Sequence, residues 1–201
     1  MSDTPIEFFY DVVSPYSHFA AHTAHKLAEV TGRKVRWRSF FLGGVLRASG
    51  NSAPGAVPTK GQALLQDFAR ESARLQVPFS SHPDFPMNTL ALMRSLAGLE
   101  ARDESLAASV ARALFQAMWV ENVPTDNLER LAEIVDGAGV DPVAFFAGSQ
   151  DPANKARLKN QSDEAVARGA FGAPTFFVGE RMWWGHDRMD QLAYCLAHDL
   201  P

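Results

Sequence analysis

Apolar and polar positions divide the chain into stretches of different period. Residues 5–10, PIEFFY, alternate and are rich in aromatic side chains, which predicts a strand. From Pro15 to Val30 apolar and small residues recur at helical spacing, and Thr31-Gly32 closes that helix. Residues 35–41, VRWRSFF, predict a second strand. Strand, helix and strand in quick succession form a βαβ unit, whose crossover favours parallel pairing.

The pattern then changes. Residues 43–61, GGVLRASGNSAPGAVPTKG, are rich in Gly, Pro and Ser and predict an irregular loop. From there to about residue 168 the apolar positions fall at i, i+3 and i+4, as in QALLQDFARESARLQ, TLALMRSLAGLEA, ESLAASVARALFQAMWV and DNLERLAEIVDGAG. Asp126, three residues before Glu129, and Asp141-Pro142 predict helix starts. Strand signal returns only after Gly172: TFFV (175–178), a turn at Gly179-Glu180, and RMWW (181–184) as the hairpin partner, with one Trp inward and one outward. A last helix is predicted from about Asp187 to His198. The order βαβ, helices, ββα predicts an α/β chain with a thioredoxin-like fold interrupted by a large all-helical insertion. Residues 1–45 and 162–201 form the thioredoxin-like unit, and 46–161 the insertion.

Composition narrows the function more than the fold. With 201 residues, 46% hydrophobic and 21% charged, the chain can bury a full core without disulfide or metal staples. A net charge of −4 and the lack of a basic stripe argue against a nucleic-acid surface. The N-terminal MSDTPIEFFYD lacks the pattern of a secretory signal, and no apolar run nears the roughly 20 residues that span a bilayer, so a cytoplasmic protein with no membrane partner is expected. The one cysteine, Cys195, excludes an internal disulfide and a thiolate-built zinc cluster, and LAYCLA predicts a small buried hydrophobe there. His18, His22 and His25 share a helix face, but no Glu or Cys joins them and HFAAH is not HExxH. No metal is expected, only a partly exposed helix face.

The candidate chemistry starts at YDVVSPYSHF (10–19). Pro15 suits the first helical position, which places Ser14 at the N-cap, its oxygen accepting a backbone N–H. Capping uses a lone pair and leaves the hydroxyl proton free to donate. A thiolate brought here would receive that O–H and the partial positive charge of the helix end, both of which favour the anion over the thiol. The chain has no thiol at this place, so the sulfur would arrive on a ligand. Plain capping is the other reading of the stretch taken alone.

Two further segments bear on that choice, GAFGAPTFFVGERMWWGHDRMDQL (169–192) and FLGGVLRASGN (41–51) with PTKG (58–61). Taken with SPYS, they resemble the 2-hydroxychromene-2-carboxylate isomerase family and its relatives, the kappa-class glutathione transferases, within the wider thioredoxin-like group that includes disulfide oxidoreductases. SPYS stands where the redox members carry Cys-x-x-C; with serine at both ends, dithiol exchange at this site is chemically excluded. The resemblance implies a glutathione-dependent isomerase of aromatic-compound degradation, acting by reversible thiolate addition and bond rotation on a small aromatic or chromene carboxylate. It also implies a homodimer. Ser14 would be catalytic and hold the glutathione sulfur as a thiolate, with Ser17 in support. Ala173, before a cis Pro174, would pair its backbone with the cysteinyl part, and His186 and Asp187 would take the γ-glutamyl end. At position 186 the family carries Asn or Ser. Asn51 would serve glutathione or substrate, Arg47 would face the substrate carboxylate, and Met87 and Asn88 would border the pocket. Lys60 is expected to be a solvated loop charge. A kappa-class-like transferase and a non-catalytic thiol-binding module are the alternative readings.

Overall fold

A computed structural model describes residues 4–200; Met1 to Asp3 and Pro201, at the two ends of the thioredoxin-like unit inferred above, lie outside the described residues. Four strands form one sheet in the order β2-β1-β3-β4. β1 (Ile6–Tyr10) and β2 (Val35–Ser39) run parallel, in register from Ile6 opposite Val35 to Tyr10 opposite Ser39. β3 (Thr175–Val178) is antiparallel to β1, and β4 (Arg181–Trp184) is antiparallel to β3. The crossover from β1 to β2 is α1 (Pro15–Thr31). Its C-terminal stop is Gly32 at φ 65°, a left-handed geometry that glycine adopts without a Cβ clash, with its N–H on the Ala28 carbonyl.

Between β2 and β3 come seven helices: α2 (Leu42–Ala48), α3 (Pro58–Leu75), α4 (Leu90–Arg102), α5 (Glu104–Trp119), α6 (Leu128–Gly137), α7 (Pro142–Gly148) and α8 (Pro152–Ala167). The chain closes on α9 (Met189–Ala197). This is the α/β thioredoxin-like architecture with its helical interruption, as the sequence order indicated.

The pleat of β1 sends alternate side chains to opposite faces of the sheet. Ile6, Phe8 and Tyr10 join Trp37, Phe176 and Trp183 in the main core with residues of α1, α4, α5 and α9. Phe9 packs the other way, with Phe40, Val45, Ala165 and Phe177, in a smaller core under α2 and α8. Trp183 is buried and Trp184 exposed, the inward and outward pair expected of the hairpin.

Four local expectations change. The stretch 43–61 is not one irregular loop: it holds α2, a 3₁₀ turn (Pro54–Ala56) and the first turn of α3. The composition misleads because Gly43 and Gly44 lie inside a helix, close against the Phe41 ring. A Cβ on either would come within 3.1 to 3.3 Å of the Phe41 ring. Strand β2 stops at Ser39, since the Phe40 N–H still reaches the Tyr10 carbonyl but the Phe41 N–H turns to Ser162 Oγ at 2.9 Å. α6 is capped by Asn127, which accepts the Arg130 N–H, and not by Asp126. α9 starts at Met189, after a 3₁₀ turn over His186–Arg188. Cys195 is half-buried against the main core.

Candidate active site

The end of β1 delivers Asp11 into the interior, and the turn that follows delivers Ser14 to the start of α1. Ser14 is the N-cap, with φ −91° and ψ 116°, and its Oγ accepts the Ser17 N–H at 3.1 Å. Pro15 occupies the first helical position without losing a bond, because its N–H would have had no partner there. The Ser14 hydroxyl is itself a donor: it reaches the carbonyl of Ala173 at 3.2 Å, across 159 residues of sequence. Ser17 is fully buried and its Oγ has no hydrogen-bond partner among the described residues.

Ala173-Pro174 is a cis peptide bond, as the family resemblance implied. The Ala173 N–H has no hydrogen-bond partner among the described residues. The Pro174 carbonyl accepts the Gly185 N–H at 3.0 Å, so the hairpin returns the GHD turn to the proline. Two glycines are constrained here, Gly172 by close approach and Gly185 by its backbone angle. A Cβ on Gly172 would meet Trp184 Nε1 at 2.6 Å, and one on Gly185, already at φ 100°, would meet Asp187 Oδ1 at 2.4 Å. Ser14, Ala173, Pro174 and Gly185 thus form one continuous hydrogen-bonded network at the positive end of α1, with Ala173 its most accessible member.

A match to the DSBA-like thioredoxin domain family covers residues 5–197. The chain belongs to that family. Within it, a 2-hydroxychromene-2-carboxylate isomerase of Pseudomonas putida is 31% identical over 190 residues, which cover 93% of this chain and 91% of that one. Glutathione S-transferase kappa 1 of Rattus norvegicus is 30% identical over 208 residues, covering 96% and 90%. A solved 2-hydroxychromene-2-carboxylate isomerase superposes with a TM-score of 0.85 at 27% identity, covering 96% of this chain and 94% of that one. These family members carry enzyme names of two kinds, isomerase and glutathione transferase, and this chain is similar to both. No helix among the described residues is long and apolar enough to cross a membrane.

His186, the departure from the family pattern, is tied into the site from two sides. Its ring lies flat on Tyr16, centroids 5.0 Å apart and planes 9° from parallel. Its Nε2 lies 2.7 Å from Glu71 Oε2 on α3. Tyr16 in turn donates its hydroxyl to Asp67 Oδ2 at 2.6 Å, also on α3. Helix α3 is therefore held over the site by one bond to each motif. The Arg74 guanidinium, and after it His186, hold the Glu71 carboxyl down at about 2. A carboxyl depressed in the fold contributes stability above its unfolded value near 4.5 and loses it as pH falls toward 2. Glu71→Gln should therefore cost about 1 kcal/mol at pH 7 and only about a quarter of that at pH 2.5. Urea unfolding at the two pH values checks this; an equal loss at both would refute it.

The remaining residues singled out in the sequence fall in three groups. Asn51 joins the site framework, donating Nδ2 to the Phe171 carbonyl at 2.9 Å, two residues before Ala173. Arg47 is exposed in the last turn of α2, and Asp187 is exposed and engaged with Arg188 at 2.5 Å. Asp187 does not cap α9, which has no side-chain cap bond. Asn88 is exposed, its Oδ1 accepting the Leu90 N–H, while Met87 is buried in the main core. Lys60 is exposed, as anticipated.

The histidine face is partly exposed, as expected, with His25 exposed, His22 half-buried and, innermost, His18. His18 is fully buried, its Nε2–H donating to the Pro78 carbonyl at 2.9 Å, and burial pushes its pKa down to about 4. Sequence reasoning missed Asp11, which accepts from Val13 N–H (3.1 Å), Leu42 N–H (2.9 Å) and the Thr89 hydroxyl (2.7 Å). Trp119 was missed as well, its indole N–H bonding the Val12 carbonyl at 2.8 Å. The signal for Asp11 was available: it is the one acid at the end of an apolar strand, four residues before the helix-opening proline.

Proposed function

We propose that the protein is a glutathione-dependent isomerase acting on substrates of the 2-hydroxychromene-2-carboxylate type. The observation that carries this reading is the Ser14 hydroxyl meeting the Ala173 carbonyl, beside an Ala173 N–H with no partner. An extended peptide needs such an N–H and C=O from one residue to add a single rung. The buried, unpartnered Ser17 Oγ is a further polar group fitted to a ligand here.

Bound at this surface, glutathione would supply a nucleophilic thiolate whose reversible addition to a conjugated substrate lets a double bond rotate. The chain's own part is electrostatic and positional. Ala173 takes the cysteinyl backbone by its N–H and C=O. The Ser14 hydroxyl rotates from the Ala173 carbonyl toward the sulfur, which frees that carbonyl for the ligand N–H. The start of α1 adds its positive end to the same point, so the thiol loses its proton more readily than near its usual ~8.5. Asp187 exchanges Arg188 for the γ-glutamyl ammonium, and Arg188 and the 3₁₀ turn then face its carboxylate. Asn51 holds the loop after α2 against the cis-proline segment. Arg47, with no ion-pair partner among the described residues, receives the substrate carboxylate. Met87 and Asn88 bound the electrophile side through the anchored segment before α4.

The test is product analysis of a chromene carboxylate with and without glutathione. The expected result is interconversion with the open-chain benzylidenepyruvate only when glutathione is present, with all of the tripeptide recovered unchanged. Stoichiometric consumption into a conjugate would assign the transferase activity instead. Tripeptide binding without acceleration of either reaction would leave a thiol-binding module.

A further inference from the structure

We propose a second small-molecule site, for a flat apolar monocarboxylate, between α2, the start of α4 and α8. A cavity of about 500 Å³ lies there, a size within the ~300–1,000 Å³ range of pockets that hold small ligands. Ser14, Ala173 and His186 are not among its lining residues, so it does not rest on the glutathione reading. Its walls are Phe41, Val45 and Ala48 on one side and Leu90, Leu158 and Val166 on the others.

Three cations border this apolar space, and two of them are engaged. Lys155 donates to Gln150 Oε1 at 3.0 Å, and Lys159 pairs with Asp163 at 2.5 Å. Arg94 is different: it is half-buried and has no hydrogen-bond, ion-pair or ring partner among the described residues. It lies one turn along α4 from Leu90, so the two share a face of that helix. A half-buried guanidinium beside apolar walls has lost part of its hydration without receiving an acceptor, and a carboxylate restores two hydrogen bonds in fork geometry. The walls select an aromatic or similarly flat body, and the single unengaged cation selects one negative charge. Val45 and Val166 also pack in the small core that includes Ala173, so the occupant rests on residues that back the cis-proline segment.

The experiment uses 2-naphthoate and its neutral counterpart 2-naphthylmethanol, titrated calorimetrically into the full chain without glutathione. Naphthoate should bind at least 10-fold more tightly than the alcohol. Arg94→Gln should weaken naphthoate about 10- to 100-fold. Ala48→Leu places a side chain in the cavity from an exposed helix end and should abolish binding, with an unchanged thermal melt as the folding control. Ser14→Ala should leave binding unaltered. The proposal fails if naphthoate does not bind at millimolar concentration, if Arg94→Gln binds it as wild type does, or if Ser14→Ala removes it. It fails too if sedimentation shows a dimer that Ala48→Leu dissociates, since the groove would then belong to a second copy.

Discussion

Ser14→Ala should reduce kcat/KM for the glutathione-dependent reaction about 100-fold or more, the usual loss when one preorganised donor to a developing anion is removed. The same change should cost about 1 kcal/mol of stability, because Ser14 Oγ also caps α1 by accepting the Ser17 N–H. A second substitution tests the donor. Aspartate can keep the cap bond to the Ser17 N–H, but its carboxylate would be buried against the Ala173 carbonyl, so Ser14→Asp should lose about 1 to 3 kcal/mol of stability. It has no proton to donate at neutral pH and adds a negative charge where the sulfur would lie, so its activity should fall below that of Ser14→Ala. Stopped-flow measurement of the bound thiol's ionisation should show its pKa rising in both variants, further in Ser14→Asp. If Ser14→Asp keeps activity, the hydroxyl is a cap only and the thiolate role is lost.

The ends of the chain were readable because several signals coincide there. Alternating aromatics, a proline placed at the first helical position and a glycine at the helix stop each point to the same βαβ unit, and the structure has all three. The hairpin after Gly172 was equally plain, whereas the link between SPYS and the distant segment 172–175 came only from the family resemblance. Within the middle, glycine was the obstacle. Gly43 and Gly44 signal a loop to any local reading, yet they sit in α2 with the Phe41 ring packed close over them. That contact is tertiary and leaves no mark in the local pattern. The same holds for His186. Its identity was noted as a departure, but its two partners, Tyr16 and Glu71, lie 170 and 115 residues away and could not be inferred. The burial of His18 was hidden for a related reason, since the Pro78 carbonyl that receives its proton belongs to the segment after α3.

Asp11 was the largest omission, and its removal should have the largest effect on stability. One fully buried carboxylate fastens three segments: the turn before Ser14 through the Val13 N–H, the start of α2 through the Leu42 N–H, and the residue before α4 through the Thr89 hydroxyl. Its backbone carbonyl accepts the Ser14 N–H as well. Asp11→Ala leaves these three donors without their acceptor, a loss of about 3 to 4 kcal/mol at roughly 1–3 kcal/mol each, less the cost of burying the charge. Burial, opposed by those same bonds, pushes the Asp11 carboxyl from 3.8 up to about 6. A carboxyl raised in the fold binds its proton more tightly there than in the unfolded chain. Its contribution is therefore full below pH 3.8 and is lost as pH rises through 6, by about 3 kcal/mol. Asp11→Asn keeps the shape and removes the titration, so its deficit relative to wild type should be larger at pH 4 than at pH 7. Because the turn before Ser14 is no longer fully anchored, Asp11→Asn should also lower kcat about 10-fold while leaving the KM for glutathione nearly unchanged. Urea unfolding at pH 4, 5.5 and 7, read beside kcat and KM, tests both halves. A pH-independent deficit would remove Asp11 as a titrating anchor, and an unaltered kcat would show that Ser14 holds its place without it.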